Sequence, residues 1–177
     1  SVQSDVVAFF EKNTVNAVIN CAAYTAVDNA ETDAEKANAV NHTGVKHIAE
    51  MCEKHNCKLI HISTDYVFDG KSRSPYKEND TVNPQSVYGK TKLSGEKAIM
   101  KLSTLAAVII RTSWVYSSYG NNFVKTMLRI GKERQNLNIV NDQFGAPTFA
   151  GDIADAILSI AKKVLEHDAL EFWGTYH

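Results

Sequence analysis

Three nearly continuous apolar runs constrain the fold of this chain more than any other feature of the sequence. They cover residues 17–24, 58–63 and 106–111, and apolar runs without polar alternation are typical of strands buried on both faces of a sheet. Helical patterns separate these runs, with apolar positions at helical spacing over residues 34–55 and a further helix starting near Ser86. Strands that alternate with helices predict βαβ units, and therefore an α/β fold built on a doubly wound parallel sheet.

The remaining segments add shorter elements to this sheet. Glycine and proline among polar neighbours predict a loop over residues 70–86, and a short strand is predicted at 138–140. The last four residues, 174–177, show no pattern of a closing element. Helical spacing of apolar residues predicts three more helices, over residues 2–12, 122–132 and 152–166.

Length and charge describe an ordinary globular domain. The chain has 177 residues, enough for one domain with its own core, and 19 basic against 20 acidic residues leave a formal charge of −1. Because there is no basic surplus, we expect no nucleic-acid partner. Because no apolar run reaches the roughly 18 residues of a membrane span, we expect no membrane partner. Three cysteines, an odd number without metal-ligand spacing, indicate reduced thiols in a cytoplasmic protein.

No metal site is expected from the residues themselves. Glu31, Asp33 and Glu35 are interpreted as the acidic first turn of a helix, where the helix dipole favours negative charge. His61 lies in the middle of a predicted strand, where a structural role is expected. The histidines as a group show no ligand spacing; they are His42, His47, His55, His61, His167 and His177.

The carboxyl ends of the predicted strands are the expected place for a ligand. Ligands bind beyond the carboxyl ends of parallel strands, which here selects residues 22–27, 63–68 and 112–116. The helix that follows the loop carries Tyr88 and Lys92 four residues apart, and therefore on one face. A phenol beside an ammonium loses its proton more easily, so the pair is a candidate general acid or base. The same spacing also occurs in helices without any catalytic role.

The chain lacks the glycine-rich turn of a dinucleotide site. Such a domain is expected to begin with a strand, a turn of the Gly-x-x-Gly-x-x-Gly kind and a helix. None of the nine glycines lies three residues from another. We therefore expect residues 1–177 to form a single, partial NAD(P)-binding domain that is truncated at both ends and lacks its first βαβ elements.

Several segments together resemble a known family. Tyr88 and Lys92, with Ser63, Thr64 and Asp65 before them, resemble the extended short-chain dehydrogenase/reductases, whose fold is Rossmann-like. Within that family the chain is most similar to the dTDP-4-dehydrorhamnose reductases, from about residue 15 to residue 177. The segments that carry this likeness are 20–28 (NCAAYTAVD), 63–70 (STDYVFDG), 111–116 (RTSWVY), 120–127 (GNNFVKTM) and 142–148 (DQFGAPT).

The resemblance implies an oxidoreductase with NADPH or NADH as cofactor. The reaction it implies is reduction of the 4-keto group of dTDP-4-dehydro-6-deoxy-L-mannose to dTDP-L-rhamnose, a step in nucleotide-sugar and cell-surface polysaccharide biosynthesis. The implied catalytic residues are Thr64, Tyr88 and Lys92. Tyr88 would supply the proton, Lys92 would lower the pKa of Tyr88 and hold the nicotinamide ribose, and Thr64 would hydrogen-bond the carbonyl oxygen.

The same resemblance assigns further binding residues. The cofactor is expected to contact Ala22, Ala23, Tyr24, Ser63 and Ser113, together with Tyr88 and Lys92. The dTDP-sugar substrate is expected to contact Thr25, Val27, Asp65, Phe68, Trp114, Asn121, Gln143 and Thr148. The resemblance also implies a homodimer. Some family members bind Mg²⁺ at a dimer contact, but the resemblance does not indicate which residues of this chain would bind the ion.

Two other interpretations remain open. The regulatory β subunit of methionine adenosyltransferase, which binds a partner enzyme, shares a similar Ser-x-Asp-Tyr-Val-Phe-Asp-Gly stretch and Tyr-Gly-Lys-Thr-Lys-Leu helix. Residues 24–28 and 112–114 resemble the reductase and not that subunit. Alternatively, a chain without a helix N-terminus to anchor the cofactor pyrophosphate could hold the catalytic residues and still be inactive.

Overall fold

The computed structural model describes residues 3–166 and 172–177, which fold around a four-stranded parallel sheet. The sheet has the strand order β1-β2-β3-β6, and a separate pair, β4 and β5, is also parallel. The strands are β1 (Ala17–Asn20), β2 (Lys58–Thr64), β3 (Ala107–Thr112), β4 (Val115–Tyr116), β5 (Thr148–Phe149) and β6 (Gly174–Tyr176). The parallel sheet that the apolar runs predict is confirmed.

Helices connect the strands and cover both faces of the sheet. One core joins Val45, Leu59 and Ile109 on one face of the sheet, and another joins Ile60 and Ile157 on the opposite face, since Leu59 and Ile60 are consecutive residues of β2. The sheet is therefore doubly wound, as predicted. The helices are α1 (Gln3–Lys12), α2 (Val27–Ala30), α3 (Ala34–Asn38), α4 (Val45–Lys54), α5 (Val87–Met100), α6 (Phe123–Glu133) and α7 (Ala150–Glu166), with a π-helix at Ala39–Gly44 and a 3-10 turn at Asp65–Val67.

The helix predicted over residues 34–55 is present, but a π-helical turn at Ala39–Gly44 interrupts it. That wider turn directs Asn41, which is fully buried, toward the segment after β1. The Asn41 side chain accepts a hydrogen bond from the Tyr24 backbone N–H at 2.8 Å and donates to the Tyr24 carbonyl at 3.1 Å. Insertions of this kind are frequent at functional sites, and this one fixes the backbone beyond β1.

Two glycines let α5 approach its neighbours closely. A Cβ at Gly89 would collide with the Tyr66 carbonyl, and one at Gly95 would collide with the Asn41 carbonyl. Both partners are backbone atoms, which cannot move aside as the end of a flexible side chain can. Glycine at these positions therefore brings α5 against the 3-10 turn that follows β2 and against the π-helical turn.

The structure corrects two sequence-based predictions. Residues 138–140 form no strand, because Ile139 and Val140 are 53% and 66% exposed and pair with no strand among residues 3–166 and 172–177; Thr148–Phe149 pairs with β4 instead. The segment 174–177, predicted to contain no closing element, holds β6, which pairs with β3. That strand arises from pairing at the sheet edge rather than from an apolar pattern of its own.

Other predicted boundaries differ by a few residues. The predicted strand 17–24 ends at Asn20, because the pairing of β1 with β2 stops there and residues 21–24 continue unpaired. Val2, in the predicted first helix, and His167, among the histidines without ligand spacing, lie outside the described residues. In the described parts of the chain, no helix is both long and apolar enough to cross a membrane. Across the same residues, no group of three or more His, Cys, Asp or Glu side chains is arranged to hold a metal ion.

Candidate active site

Tyr88 and Lys92 lie one turn apart on α5, on the face that packs against the sheet. Ser86 caps the helix, since its Oγ accepts a hydrogen bond from the Gly89 N–H at 3.1 Å. Tyr88 is 8% exposed and Lys92 is 1% exposed, although lysine is almost never fully buried without a partner. The Lys92 ammonium donates to the Ile62 carbonyl at 2.6 Å. The pair predicted from its spacing is therefore placed at the carboxyl end of β2.

Burial dominates the protonation of both side chains. It lowers the pKa of Lys92 to about 8, and the nearby Glu96 and Cys21 oppose that shift. Burial also raises the pKa of Tyr88, while a hydrogen bond with Thr64 opposes it and the charge of Asp65 adds to it. Lys92 is not among the groups that shift the Tyr88 pKa in this arrangement, so the lowering expected from Lys92 stays a prediction. Tyr88 is therefore a protonated phenol at neutral pH.

Thr64 joins this pair at the last position of β2. Its hydroxyl accepts from the Tyr66 backbone N–H at 3.2 Å and donates to Asp65 Oδ1 at 3.2 Å. The hydroxyl therefore caps the following 3-10 turn, which is the common structural use of a strand-end threonine. It also lies within hydrogen-bonding reach of Tyr88. The three residues implied as catalytic converge at one point of the sheet edge.

Ser63, predicted to contact the cofactor, has its side chain committed elsewhere. Its hydroxyl donates to Glu96 Oε1. Arg111 binds the same carboxylate with two hydrogen bonds, from Nε at 3.0 Å and from Nη2 at 2.7 Å. Sequence reasoning missed this buried group, although Glu96 follows Lys92 by one helical turn and Arg111 ends an apolar run.

The predicted cofactor segment after β1 is held by side chains on both sides. The Ala22 N–H donates to Asn20 Oδ1 at 3.2 Å, and the Tyr24 hydroxyl donates to Asp33 Oδ2 at 3.0 Å. Ala22 is exposed and Ala23 is half-buried, so the backbone of this segment is accessible. Asn41, which holds the Tyr24 backbone, was not predicted; a lone asparagine inside a helical pattern was its only signal.

The segments after β3 and before β5 meet around Trp114. Thr148 donates from its hydroxyl to the Ser113 carbonyl at 2.9 Å, and the Ser113 hydroxyl donates to the Ala146 carbonyl at 3.0 Å. Trp114 has φ of 46° and is 44% exposed. A Cβ at Gly145 would lie 2.6 Å from the indole ring, so only glycine leaves room for it there. One face of the indole is thus fixed and the rest remains open for a ligand.

The other predicted substrate residues divide into near and distant groups. Val27 packs near Tyr88, and Asp65 lies beside Thr64 with its carboxyl pKa raised by burial. Thr25 is exposed on the segment between β1 and α2. Phe68 is 6% exposed and stacks on Tyr76, with Arg111 over its ring, which makes it a core residue here.

Asn121 and Gln143 are exposed, and the side chain of neither forms a hydrogen bond with any of the described residues. Asn122, which was not predicted, is the residue that caps α6 by accepting from the Lys125 N–H at 3.0 Å. The structure therefore gathers most of the predicted site at the ends of β1, β2 and β3, and leaves these two side chains at the surface.

Comparison with known proteins identifies relatives over nearly the whole chain. The model of the family described as "RmlD substrate binding domain" matches residues 2–177. A dTDP-4-dehydrorhamnose reductase of Aggregatibacter actinomycetemcomitans is 48% identical over 162 residues, which cover 92% of this chain and 54% of that protein. The Escherichia coli dTDP-4-dehydrorhamnose reductase is 46% identical over 160 residues, covering 90% of this chain and 52% of that protein.

Solved structures agree with this assignment. A Clostridium acetobutylicum dTDP-4-dehydrorhamnose reductase superposes with a TM-score of 0.90 at 42% identity, covering 99% of this chain and 60% of that one. A Bacillus anthracis dTDP-4-dehydrorhamnose reductase, solved in complex with NADP, gives a TM-score of 0.89 at 39% identity with the same coverage. The chain thus spans about half the length of the curated relatives it matches.

Proposed function

Because this chain belongs to the RmlD substrate-binding domain family, we propose that the protein carrying it reduces the 4-keto group of dTDP-4-dehydro-6-deoxy-L-mannose to dTDP-L-rhamnose. NADPH is the proposed cofactor, and NADH is the alternative. The convergence of Tyr88, Thr64 and Lys92 at the end of β2 is the observation that carries the proposal. It places a protonated phenol, a hydroxyl and a buried cation within one site.

The residues of this chain account for the fate of the carbonyl oxygen. The nicotinamide, when bound, supplies the hydride that attacks the ketone carbon. As negative charge develops on the oxygen, Tyr88 gives it a proton, and Thr64 turns its single hydroxyl hydrogen from Asp65 Oδ1 to donate to it. The positive charge of Lys92 stabilises the tyrosinate that this transfer leaves. The ketone becomes an alcohol, with one hydride and one proton added.

The surroundings of Lys92 fit a nicotinamide cofactor. An ammonium has three N–H donors, of which one goes to the Ile62 carbonyl, and ribose hydroxyls are suitable acceptors. The accessible backbone at Ala22 and Ala23 lets a planar ring approach closely. We propose that Tyr24 and Ser113 also contact the cofactor. We propose that Ser63 contacts it through its backbone, because the Ser63 hydroxyl is bonded to Glu96.

The substrate is proposed to lie over the open side of Trp114. Thr25, Val27 and Asp65 are the proposed neighbours of the sugar, since they border Tyr88 and Thr64. Asn121 and Gln143 are proposed to meet the nucleotide end only if their loops move toward the site. Phe68 and Thr148 are proposed to shape the site rather than to contact the substrate. The Phe68 ring is buried in the core, and the Thr148 hydroxyl is bonded to the backbone.

The cellular setting is part of the proposal. The three cysteines are free thiols in the structure, which supports a reducing compartment such as the cytoplasm. We propose a homodimer on the basis of the family resemblance. The alternative of a non-catalytic binding subunit gains no support from the relatives described above, which are named as reductases.

The direct test is an assay of the whole protein that carries this chain. We expect NADPH to be consumed in proportion to added dTDP-4-keto-6-deoxy-L-mannose, as followed by the absorbance of the reduced nicotinamide. The product is to be identified as dTDP-L-rhamnose by chromatography and NMR. A folded protein that binds NADPH but consumes none with this ketone would overturn the proposal. The control substrate is dTDP-glucose, which has no keto group.

A second expected result concerns the chain as an isolated piece. Its sequence has no glycine-rich turn, and the helix N-terminus that follows such a turn is a principal anchor for the pyrophosphate. We therefore propose that residues 1–177 are a partial cofactor-binding domain, and that alone they bind NADPH more weakly than a full-length relative does. Isothermal calorimetry of both proteins measures the difference, and equal affinities would contradict this view.

A further inference from the structure

We infer that Glu96 and Arg111 form a positioning pair, which holds Lys92 in place and sets how much positive charge it presents to Tyr88. Neither residue reaches the site opening, because Glu96 is fully buried and Arg111 is 7% exposed. The catalytic consequence of this inference rests on the proposed reductase function. The effect on Lys92 itself does not, and the two can be tested separately.

The end of β2 is the structural basis of the inference. Three consecutive residues of this strand each contact a different part of the site. The Ile62 carbonyl accepts from Lys92, the Ser63 hydroxyl donates to Glu96, and the Thr64 hydroxyl lies against Tyr88. The contact of Glu96 therefore lies between the two contacts that place the catalytic side chains, so it fixes α5 in register with the strand.

Arg111 extends this connection to β3. It lies directly opposite Ser63 in the paired strands, and it donates one hydrogen bond to each carboxylate oxygen of Glu96. Its Nη1 also donates to the Glu78 carbonyl at 3.3 Å, and its guanidinium lies 5.1 Å from the centre of the Phe68 ring. Arginine suits this role because its rigid, planar donors match a carboxylate bidentately.

The balance of buried charge explains why both residues are needed. Lys92 and Arg111 each bring one positive charge, and Glu96 brings one negative charge. Arg111 engages Glu96 directly, which leaves the Lys92 charge available to stabilise a tyrosinate at Tyr88. If Arg111 were absent, the Glu96 carboxylate would lose its bidentate partner, and its uncompensated charge would act on Lys92, one helical turn away. If Glu96 were absent, Lys92 and Arg111 would both be buried without the counter-charge that the carboxylate provides.

The remaining titratable groups nearby have little effect on the pKa of Lys92. His61 on β2 is uncharged at neutral pH, because burial and Lys92 lower its pKa to about 3. Asp65 and Tyr66 act on Tyr88 rather than on Lys92. The titratable groups that act on Lys92 or share its face of the helix are Tyr88 and Glu96 on α5, Cys21 after β1 and His61 on β2, and Arg111 on β3 acts on it through Glu96.

The test is a titration of Lys92 by NMR in the whole protein, labelled with carbon-13 lysine, with the signal assigned through Lys92→Arg. Against the wild-type pKa of about 8, we expect Glu96→Gln to lower the Lys92 pKa by about one unit and Arg111→Gln to raise it by a similar amount. The double variant Glu96→Gln/Arg111→Gln, which keeps the net charge, is expected to restore the wild-type value. Glu50→Gln is the control, since it removes the acid of an exposed i, i+4 pair with Lys46.

The outcomes separate this inference from the proposed function. An unchanged Lys92 pKa in either single variant that folds would overturn the inference, as would a double variant that titrates like one of the singles. Where the reductase is active, the alkaline limb of its pH–rate profile is expected to move with the Lys92 pKa in the same directions. A wild-type protein without reductase activity whose Lys92 pKa follows the predicted order would reject the proposed function alone.

Discussion

Replacing Tyr88 by phenylalanine is expected to lower the rate of ketone reduction by about 10²- to 10⁴-fold, the usual contribution of a general acid. The side chain is 8% exposed and its hydroxyl meets Thr64, so the substitution removes the proton donor and little else. Since the remaining ring keeps its packing against Val27 and Tyr24, NADPH affinity should stay near the wild-type value. Steady-state kinetics with the keto sugar and calorimetry with NADPH measure the two effects.

The matched control for this substitution is Tyr176→Phe. Tyr176 lies on β6, and its hydroxyl donates to the Phe172 carbonyl at 3.1 Å. Loss of that hydroxyl should leave the rate of ketone reduction within about twofold of the wild-type rate. Full activity in Tyr88→Phe would show that another group protonates the substrate. Loss of NADPH binding together with activity would instead show that the phenol holds the cofactor rather than acting as the acid.

The sequence predicted the parts of the fold that local pattern determines. Apolar runs without alternation identified β2 and β3, because a strand buried on both faces needs apolar side chains on both. The spacing of Tyr88 and Lys92 identified one face of α5, because helical geometry alone brings residues four apart together. Both predictions follow from short-range rules and needed no knowledge of the neighbouring elements.

Other parts depend on contacts distant in the chain. The segment Gly174–Tyr176 becomes a strand only because the edge of β3 is available to it, whereas the apolar pair Ile139 and Val140 finds no such edge. The Glu96–Arg111 pair was missed for a related reason, since charged residues are expected at the surface unless their partner is known. That partner lies 15 residues away, on another element.

The buried pair also leads to the largest expected effect on stability. Arg111→Met should lower the free energy of unfolding by about 3 to 5 kcal/mol, the usual cost of leaving one charge of a buried pair without its partner. Glu96 has no route to water in the folded state, because its side chain is fully buried. The measurement is urea-induced unfolding of the whole protein, followed by circular dichroism.

Two comparisons decide whether the buried charge is the cause of that loss. Arg129→Met removes the cation of an exposed pair with Glu133, 64% and 58% exposed, and should cost less than about 1 kcal/mol. The double variant Arg111→Met/Glu96→Leu removes both buried charges and should recover most of the loss, since apolar replacement of a whole buried pair is often neutral. If the double variant were as unstable as Arg111→Met, the loss would come from the packing of Arg111 on Phe68 rather than from an unpaired carboxylate.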